Sequence, residues 1–147
     1  MRNVCELYLI RHGFAEERGP AWPDDNKRPL TDHGISRLRR AGRALARLGL
    51  TPDVVLTSPL VRARQTAEIV ARELGLASTA LHFRDNLYNA SASTLARELH
   101  QRPAGALVLL VAHNPGISAL ARQWSEEKDR LPFPPAGWES FLVPADG

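Results

Sequence analysis

The sequence predicts an α/β fold, a three-layer sandwich with a mostly parallel central sheet flanked by helices on both faces. Two observations support this prediction. Apolar segments of strand length alternate along the chain with segments whose apolar residues recur at helical spacing. The segment 106–112 is almost wholly apolar, as expected of a central parallel strand buried on both faces. With 147 residues, 44% of them hydrophobic, the chain is predicted to form one domain over 1–147.

The first two predicted elements are a strand and a loop. An apolar run over 4–10 predicts a strand that ends in an Arg-His-Gly tripeptide at 11–13. Residues 14–30 are rich in glycine, proline and charge, which indicates a surface loop. Cys5 is the only cysteine, so an intrachain disulfide and a cysteine metal cluster are excluded. We interpret Cys5 as a small buried apolar residue, and we expect a reducing compartment, the cytoplasm.

The first helix is predicted to begin with Thr31 or Asp32 as its N-cap and to end at Gly49. Its predicted buried face consists of Ile35, Leu38, Leu45 and Leu48. Arginines occupy positions between these apolar residues, namely Arg37, Arg39 and Arg40. Because no aromatic residues are interleaved to stack bases, and because the net charge is only +3, we interpret the arginines as a solvated helix face and not as a nucleic-acid site.

The second strand is predicted over 53–57, and a second helix follows it. Ser58 is the predicted N-cap of this helix and Pro59 its first residue. The predicted inner face of the helix consists of Ala63, Ala67, Val70 and Leu74, with Gly75 closing the helix. The remaining predicted elements are a weaker strand over 79–84, a helix opened by Ser91 or Ser93 that carries Leu95 and Leu99, the strong strand over 106–112, a helix with Asn114 as its cap and Pro115 as its first residue, and a last strand over 138–143.

Histidines and arginines collect where three of these strands end. The carboxyl ends of parallel strands meet at one edge of a sheet, and ligands of open α/β sheets bind there. This edge is predicted to receive the tripeptide at 11–13, Ser58 with Arg62 one turn into its helix, and the pair His113-Asn114. Guanidinium groups match the oxygens of phosphate, and helix N-termini add backbone N–H donors. The sequence therefore predicts a phosphate site at this edge.

His12 is the candidate nucleophile of that site. A neutral imidazole nitrogen attacks phosphorus when the other ring nitrogen is held by an acceptor, such as a carbonyl at a strand end. The adjacent Arg11 disfavours the charged imidazolium. His113, on a different strand, is placed to hydrogen-bond the phosphoryl oxygens in the transition state. These residues predict a phosphatase with a phosphohistidine intermediate.

Three segments resemble, in matching order, the motifs of the histidine phosphatase superfamily, which includes phosphoglycerate mutases and many phosphatases. They are the tripeptide at 11–13, the segment Ser-Pro-Leu-Val-Arg-Ala-Arg-Gln-Thr-Ala at 58–67 and Val-Ala-His-Asn-Pro at 111–115. Arg-Pro-Leu-Thr at 28–31, followed by Gly34, is similar to the family's entry into its first helix. The length and the form of these motifs are most similar to the short SixA-type phosphohistidine phosphatases.

The resemblance implies a role for each matching residue. His12 would take the phosphoryl group, and Arg11, Arg62 and His113 would form the phosphate clamp, with backbone near Asn114 assisting. The resemblance implies no metal and no cofactor.

The resemblance also raises the question of a general acid. Family members that act on alcohol phosphates use a carboxylate to protonate the leaving oxygen. Asp85 is the best-placed carboxylate here, although a plain turn residue explains it equally well, and Glu16 and Glu17 are the next candidates. A phosphoramidate whose leaving nitrogen is already protonated needs less help, so the ambiguity at Asp85 is consistent with a phosphohistidine substrate.

Several functions remain open from the sequence. The favoured function is hydrolysis of phosphohistidine on a protein, for example on a histidine phosphotransfer domain. The alternatives are a phosphatase of small phosphorylated metabolites and a phosphate-recognition module without turnover. A mutase must retain its phosphoenzyme and exclude water, and the chain has no room for covering segments, so a mutase is disfavoured. We expect no membrane partner, because no run of about 18 apolar residues is present. We expect no signal peptide, because the short apolar run after Asn3 carries Glu6 and is not a longer apolar region followed by a small-residue cleavage site.

Overall fold

Strands and helices alternate in the computed structural model, which describes residues 4–87, 90–101, 107–112, 116–124 and 138–144. The strands are β1 (Val4–Arg11), β2 (Val54–Thr57), β3 (Leu81–Phe83), β4 (Leu107–Ala112) and β5 (Trp138–Pro144). The α-helices are α1 (Asp32–Arg47), α2 (Val61–Glu73), α3 (Ala92–His100) and α4 (Gly116–Trp124). Short 3₁₀ turns lie at Asp25–Lys27, Ser78–Ala80 and Asp85–Leu87.

The strands form one sheet in the order β3-β2-β4-β1-β5. β1, β2, β3 and β4 pair in parallel, whereas β5 pairs antiparallel with β1 at the edge of the sheet. The strand with the strongest apolar run, β4, lies in the middle of the sheet, as predicted. A mostly parallel sheet with one antiparallel edge strand confirms the predicted α/β class.

The sheet is covered on both faces. Val108 and Leu110 of β4 belong to an apolar cluster that includes residues of α3 and α4, whereas Leu109 and Val111 belong to a second cluster with residues of α1 and α2. All four side chains are fully buried. Because successive strand residues point to opposite faces, the two clusters lie on opposite sides of the sheet. This arrangement confirms the three-layer sandwich.

Helix α1 has the predicted ends but not the whole predicted buried face. The Thr31 side chain caps it by accepting a hydrogen bond from the Gly34 N–H at 2.9 Å. After the helix, Gly49 has a φ of 79°, and the Leu50 N–H bonds to the Leu45 carbonyl. This glycine turn sends Leu50 into the core, whereas Leu48, predicted to be buried, is 67% exposed. Leu38 and Leu45 are fully buried and Ile35 is partly buried. The predicted solvated face is confirmed, since Arg37, Arg39 and Arg40 are exposed.

Helix α2 begins later than predicted. Its N-cap is Leu60, which makes no side-chain capping bond, so the prediction of Ser58 as cap and Pro59 as first helical residue is wrong. Leu60 is buried in the same apolar cluster as Ala63, which means that the chain enters the core before the helix starts. As a consequence Arg62 is the second residue of the helix and does not lie one turn inside it.

The other boundaries differ by a few residues. β3 is shorter than the predicted 79–84, because the chain before it forms a 3₁₀ turn. Ser91, and not Ser93, caps α3 by accepting a hydrogen bond from the Thr94 N–H at 3.3 Å. The predicted cap Asn114 and first helical residue Pro115 lie outside the described residues, and α4 is described from Gly116. No helix in the described part of the chain is long and apolar enough to cross a membrane.

The substitution Gly34→Ala tests how closely the loop after β1 packs against α1. A Cβ built on this residue would overlap the carbonyl oxygen of Phe14, which is backbone and cannot rotate away. We expect Gly34→Ala to lower the free energy of unfolding by about 1–3 kcal/mol, net of a gain of up to about 1 kcal/mol in helix propensity. Gly19→Ala is the control, since no atom lies within 4 Å of its added Cβ. Thermal unfolding of both variants measures the effect, and equal melting temperatures would contradict the packing argument.

Candidate active site

The parallel strands end at one level of the sheet. Ile10 pairs with Val111, Val111 with Thr57, and Thr57 with Phe83. The residues that follow this row are Arg11 in β1, Ala112 in β4, Ser58 after β2 and Arg84 after β3. The predicted residues that the structure describes therefore share the carboxyl edge of the sheet, as the sequence predicts. His113 and Asn114, predicted for the same edge, lie outside the described residues.

His12 has the geometry that a nucleophile requires. Its Nδ1 lies 2.9 Å from the carbonyl oxygen of Gly13. Because a carbonyl oxygen only accepts hydrogen bonds, Nδ1 must carry the proton and donate it. The tautomer with a proton on Nδ1 has its lone pair on Nε2, the nitrogen that can attack phosphorus. The acceptor is thus a carbonyl immediately after the strand, as predicted.

Arg11, beside this histidine, is half-buried at the end of β1. Burial lowers the pKa of its guanidinium below the usual value. An arginine remains protonated at any physiological pH even so. Arg11 therefore supplies a permanent positive charge next to His12.

Thr66 joins the end of β1 to the helix that carries Arg62. The N–H of Gly13 donates to Thr66 Oγ1 at 3.1 Å, and the same hydroxyl donates to the carbonyl of Arg62 at 2.8 Å. Thr66 is fully buried, so both bonds are shielded from water. This bridge brings the His12 segment and the first turn of α2 together. Sequence reasoning did not assign Thr66, although a threonine four residues after Arg62 in a helix is a typical donor to that carbonyl.

The guanidinium of Arg62 is 7% exposed and is held by Asp25. Nη1 donates to the main-chain oxygen of Asp25 at 2.8 Å, and Nη2 donates to its Oδ2 at 3.1 Å. Burial lowers the pKa of Arg62, and the charge of Arg28 lowers it further, whereas Asp25 opposes both effects. Nε of Arg62 and Oγ of Ser58 are buried, and neither has a hydrogen-bond partner among the residues that the structure describes. Donors of this kind suit the oxygens of an anion.

Asp25, which the sequence analysis did not identify, pairs with three arginines. Its Oδ1 lies 2.8 Å from Nε of Arg28 and 3.6 Å from Nε of Arg18, while its Oδ2 contacts Arg62. The hydrogen bond from Arg28 lowers the pKa of the Asp25 carboxyl; partial burial opposes this, and the three positive charges reinforce it. The sequence feature that could have indicated Asp25 is its spacing, three residues before Arg28, which suits an ion pair within a helical turn.

The loop over 14–30 is more ordered than its composition suggests. Ala15 and Leu30 form an isolated antiparallel bridge, and the Glu16 N–H donates to the carbonyl of Pro29 at 2.8 Å. The Leu30 N–H donates to Oε1 of Gln65 in α2 at 2.8 Å. The two ends of the loop are therefore tied to each other and to the helix of Arg62. Glu16 and Glu17, the reserve candidates for a general acid, are exposed on this loop.

Asp85 is exposed in the 3₁₀ turn that follows β3. The turn is anchored on both sides of it, because Glu98 of α3 accepts hydrogen bonds from the side chains of Arg84 and Asn86. The Arg84 N–H also donates to the carbonyl of Thr57 at 2.9 Å, which joins the turn to the end of β2. Asp85 is thus fixed at the carboxyl edge of the sheet, and its role as an acid stays a prediction.

Metal ligands do not cluster in the described part of the chain. No group of three or more His, Cys, Asp or Glu side chains is placed to hold a metal ion among those residues. The cationic groups that the described residues bring to this edge include the guanidinium groups of Arg11 and Arg62.

Comparison with known proteins gives the same picture. The model of the histidine phosphatase superfamily (branch 1) matches residues 7–92. A solved structure assigned as a phosphohistidine phosphatase SixA from Agrobacterium tumefaciens superposes with a TM-score of 0.82 and 26% identity, over 92% of this chain and 89% of that one. A second SixA-assigned structure, from Nakamurella multipartitia, superposes with a TM-score of 0.76 and 30% identity. The superposition covers 95% of this chain and 84% of that one. A phosphoglycerate mutase from Bacillus anthracis, 16% identical with a TM-score of 0.77 over 98% and 90% of the two chains, shows likeness of fold alone.

Curated relatives match part of the chain more closely. An uncharacterized protein of Picosynechococcus is 51% identical over 71 residues, which are 48% of this chain and 42% of that protein. A 2,3-bisphosphoglycerate-dependent phosphoglycerate mutase of Azorhizobium caulinodans is 46% identical over 74 residues, 48% of this chain and 34% of the mutase. The match thus spans less than half of each relative.

Arg62→Ala tests the phosphate clamp. Loss of its charge-assisted hydrogen bonds should weaken vanadate binding about ten- to a hundredfold. Arg64→Ala is the matched control on the same helix, because Arg64 is about half exposed and pairs with Glu68 at 3.7 Å. We expect the control to change vanadate affinity less than about twofold. Equal vanadate affinities for Arg62→Ala and the wild type, measured by calorimetry, would place Arg62 outside the site.

Proposed function

This chain belongs to the histidine phosphatase superfamily, and from that premise we propose that it is a phosphatase that works through a phosphohistidine intermediate on His12. The observation that carries the proposal is the bond from His12 Nδ1 to the carbonyl of Gly13, which assigns the lone pair to Nε2. A residue that only recognised phosphate would have no need of a nucleophilic lone pair, since an arginine would bind the anion better. The bond therefore favours turnover over recognition alone.

The proposed reaction has two steps. In the first, Nε2 of His12 attacks the phosphorus atom, and the bond from phosphorus to the leaving group breaks with its electron pair going to the leaving group. In the second, water attacks the phosphorus of the phosphohistidine, loses its proton to solvent, and releases inorganic phosphate and neutral His12. Arg11 and Arg62 supply positive charge to the phosphoryl oxygens in both steps, and this charge needs no proton transfer.

The substrate we favour is phosphohistidine on a protein, such as a histidine phosphotransfer domain. Likeness to two SixA-assigned structures over at least 92% of this chain supports this choice. A cytoplasmic location, expected from the single cysteine, accords with such a partner.

A phosphatase of small phosphorylated metabolites is the second candidate. It is favoured by the 46% identity to a phosphoglycerate mutase within the matched segment. Turnover on phosphohistidine, phosphoserine, phosphotyrosine and sugar phosphates separates the two candidates.

His12→Ala tests the nucleophile. The variant should lose turnover by several orders of magnitude while keeping the melting temperature of the wild type, because His12 lies after the strand and outside both apolar clusters. His82→Ala, an exposed histidine on β3, is the control and should retain wild-type rates. A folded His12→Ala variant with near-normal turnover would contradict the mechanism.

Asp85→Asn tests the leaving-group acid. An alkoxide must be protonated as the P–O bond breaks, and a positioned acid contributes about 10²–10⁴-fold. An imidazole that is protonated in solution leaves as a neutral ring and needs little help. We therefore expect kcat/KM to fall most for alkyl phosphates, less for aryl phosphates and least for phosphohistidine.

The pattern across the three substrates decides the role of Asp85. An equal fall for all of them would assign Asp85 to binding or stability. No fall for any of them would show that the acid lies elsewhere, for example at Glu16 or Glu17, or that none is used.

A further inference from the structure

Asp25 binds one edge of the Arg62 guanidinium and leaves a donor of the other edge without a hydrogen-bond partner among the described residues. A guanidinium offers an outer edge, formed by Nη1 and Nη2, and a side edge, formed by Nε and Nη2. Asp25 takes the outer edge with its main-chain oxygen and Oδ2. Nε, on the side edge, is buried and has no hydrogen-bond partner in the described part of the chain. Because Nη2 carries two hydrogens, it can donate one to Asp25 and the other to an oxygen that lies beside Nε.

Resting on the proposed function, we propose that Asp25 is a positioning residue that orients Arg62 so that its Nε–Nη2 edge binds two phosphoryl oxygens. Two parallel N–H donors on one edge match the spacing of two oxygens of a phosphoryl group. Asp25 itself does not contact the phosphoryl group; it acts by fixing the plane of the guanidinium.

The carboxylate of Asp25 is well held for this purpose. Arg28 donates to its Oδ1 at 2.8 Å and, through Nη1, to the carbonyl of Glu16 at 2.6 Å. Asp24 caps the short turn of Asp25 by accepting a hydrogen bond from the Asn26 N–H at 3.0 Å. The orientation of Arg62 is therefore set before a ligand arrives, which reduces the entropy lost when the ligand binds.

Asp25 is unsuited to the role of general acid. The hydrogen bond from Arg28 and the three neighbouring positive charges lower the pKa of the carboxyl, although partial burial opposes them. The group is consequently ionised at neutral pH and has no proton to give. The Asp25 carboxylate therefore orients Arg62 and does not transfer a proton.

The competing interpretation is an inhibitory latch, in which Asp25 occupies Arg62 until a phosphoryl group displaces it. Two features favour positioning. The main-chain oxygen of Asp25 accepts one of the two hydrogen bonds, and rotation of the Asp25 side chain cannot break that bond. The other is that Nε, on the side edge of Arg62, has no hydrogen-bond partner among the described residues while both bonds to Asp25 are made, so Asp25 does not use that donor. The two interpretations predict opposite effects on anion affinity.

Vanadate binding to the folded full-length protein, measured by calorimetry, tests the inference. Asp25→Asn should weaken vanadate binding about tenfold, since the ion pair that orients Arg62 becomes a weaker hydrogen bond to a neutral amide. Asp24→Asn is the matched control: it removes the same charge from the adjacent residue, and asparagine caps a turn as well as aspartate does. We expect the control to bind vanadate within about twofold of the wild type. Tighter binding by Asp25→Asn would establish the latch, and unchanged binding would remove Asp25 from the site.

A double-mutant cycle shows whether Asp25 acts through Arg62. In an Arg62→Ala background, the further change Asp25→Asn should alter vanadate affinity by less than about twofold. An additive loss would mean that Asp25 acts elsewhere, and would overturn the inference. Vanadate binding requires no turnover, so a protein that shows this pattern but hydrolyses no phosphorylated substrate would refute the proposed function and leave the inference standing.

Discussion

The parallel register of β1, β4 and β2 is the constraint on which the site depends. Ile10, Val111 and Thr57 lie in one row across these strands, so the residues after them reach the same edge of the sheet. The core sets this register. A slip of one residue in β4 would exchange Leu109 and Val111 for Val108 and Leu110 between two faces that are each packed against helices. The hydrophobic packing that stabilises the sheet therefore also brings Arg11 and His12 to the level at which α2 begins.

The buried charge of Arg62 must be compensated, and Asp25 of the loop over 14–30 provides the opposite charge. Arg62 is almost fully buried, and burial of an unpaired charge costs several kcal/mol. Asp25 offsets that cost with two hydrogen bonds and a negative charge, while it is itself 42% exposed and so loses less hydration. An anion site needs a counter-charge that stabilises the cation without using all its donors. Binding to the outer edge of Arg62 meets both conditions.

The fold class, most of the helices and strands and the described residues at strand ends could be predicted from the sequence. These features follow from apolar periodicity and from glycine, serine and threonine at element boundaries. Thr31 and Gly49 bound α1 as predicted. Local rules failed where tertiary contacts decide. Ser58-Pro59 has the form of a helix start, yet burial of Leu60 delays α2 to Val61. Asp25 could not be assigned, because its partner Arg62 is 37 residues away and nothing local pairs them.

The charge states of the site residues indicate which groups can transfer protons in the proposed reaction. Arg11 and Arg62 are permanently cationic, and Asp25 is kept ionised by its three arginines, so none of them supplies or removes a proton during the reaction. The proton balance therefore belongs to His12, to water and to the leaving group. In the proposed mechanism His12 makes the nucleophilic attack, and its Nδ1–H donates to the carbonyl of Gly13. A leaving group that arrives protonated then needs nothing more from the protein, whereas an alkoxide depends on a separate carboxylate. The proposed mechanism therefore favours a phosphoramidate over an alkyl ester, unless Asp85 acts as the acid. Glu98 fixes the position of Asp85 through hydrogen bonds from its two neighbours.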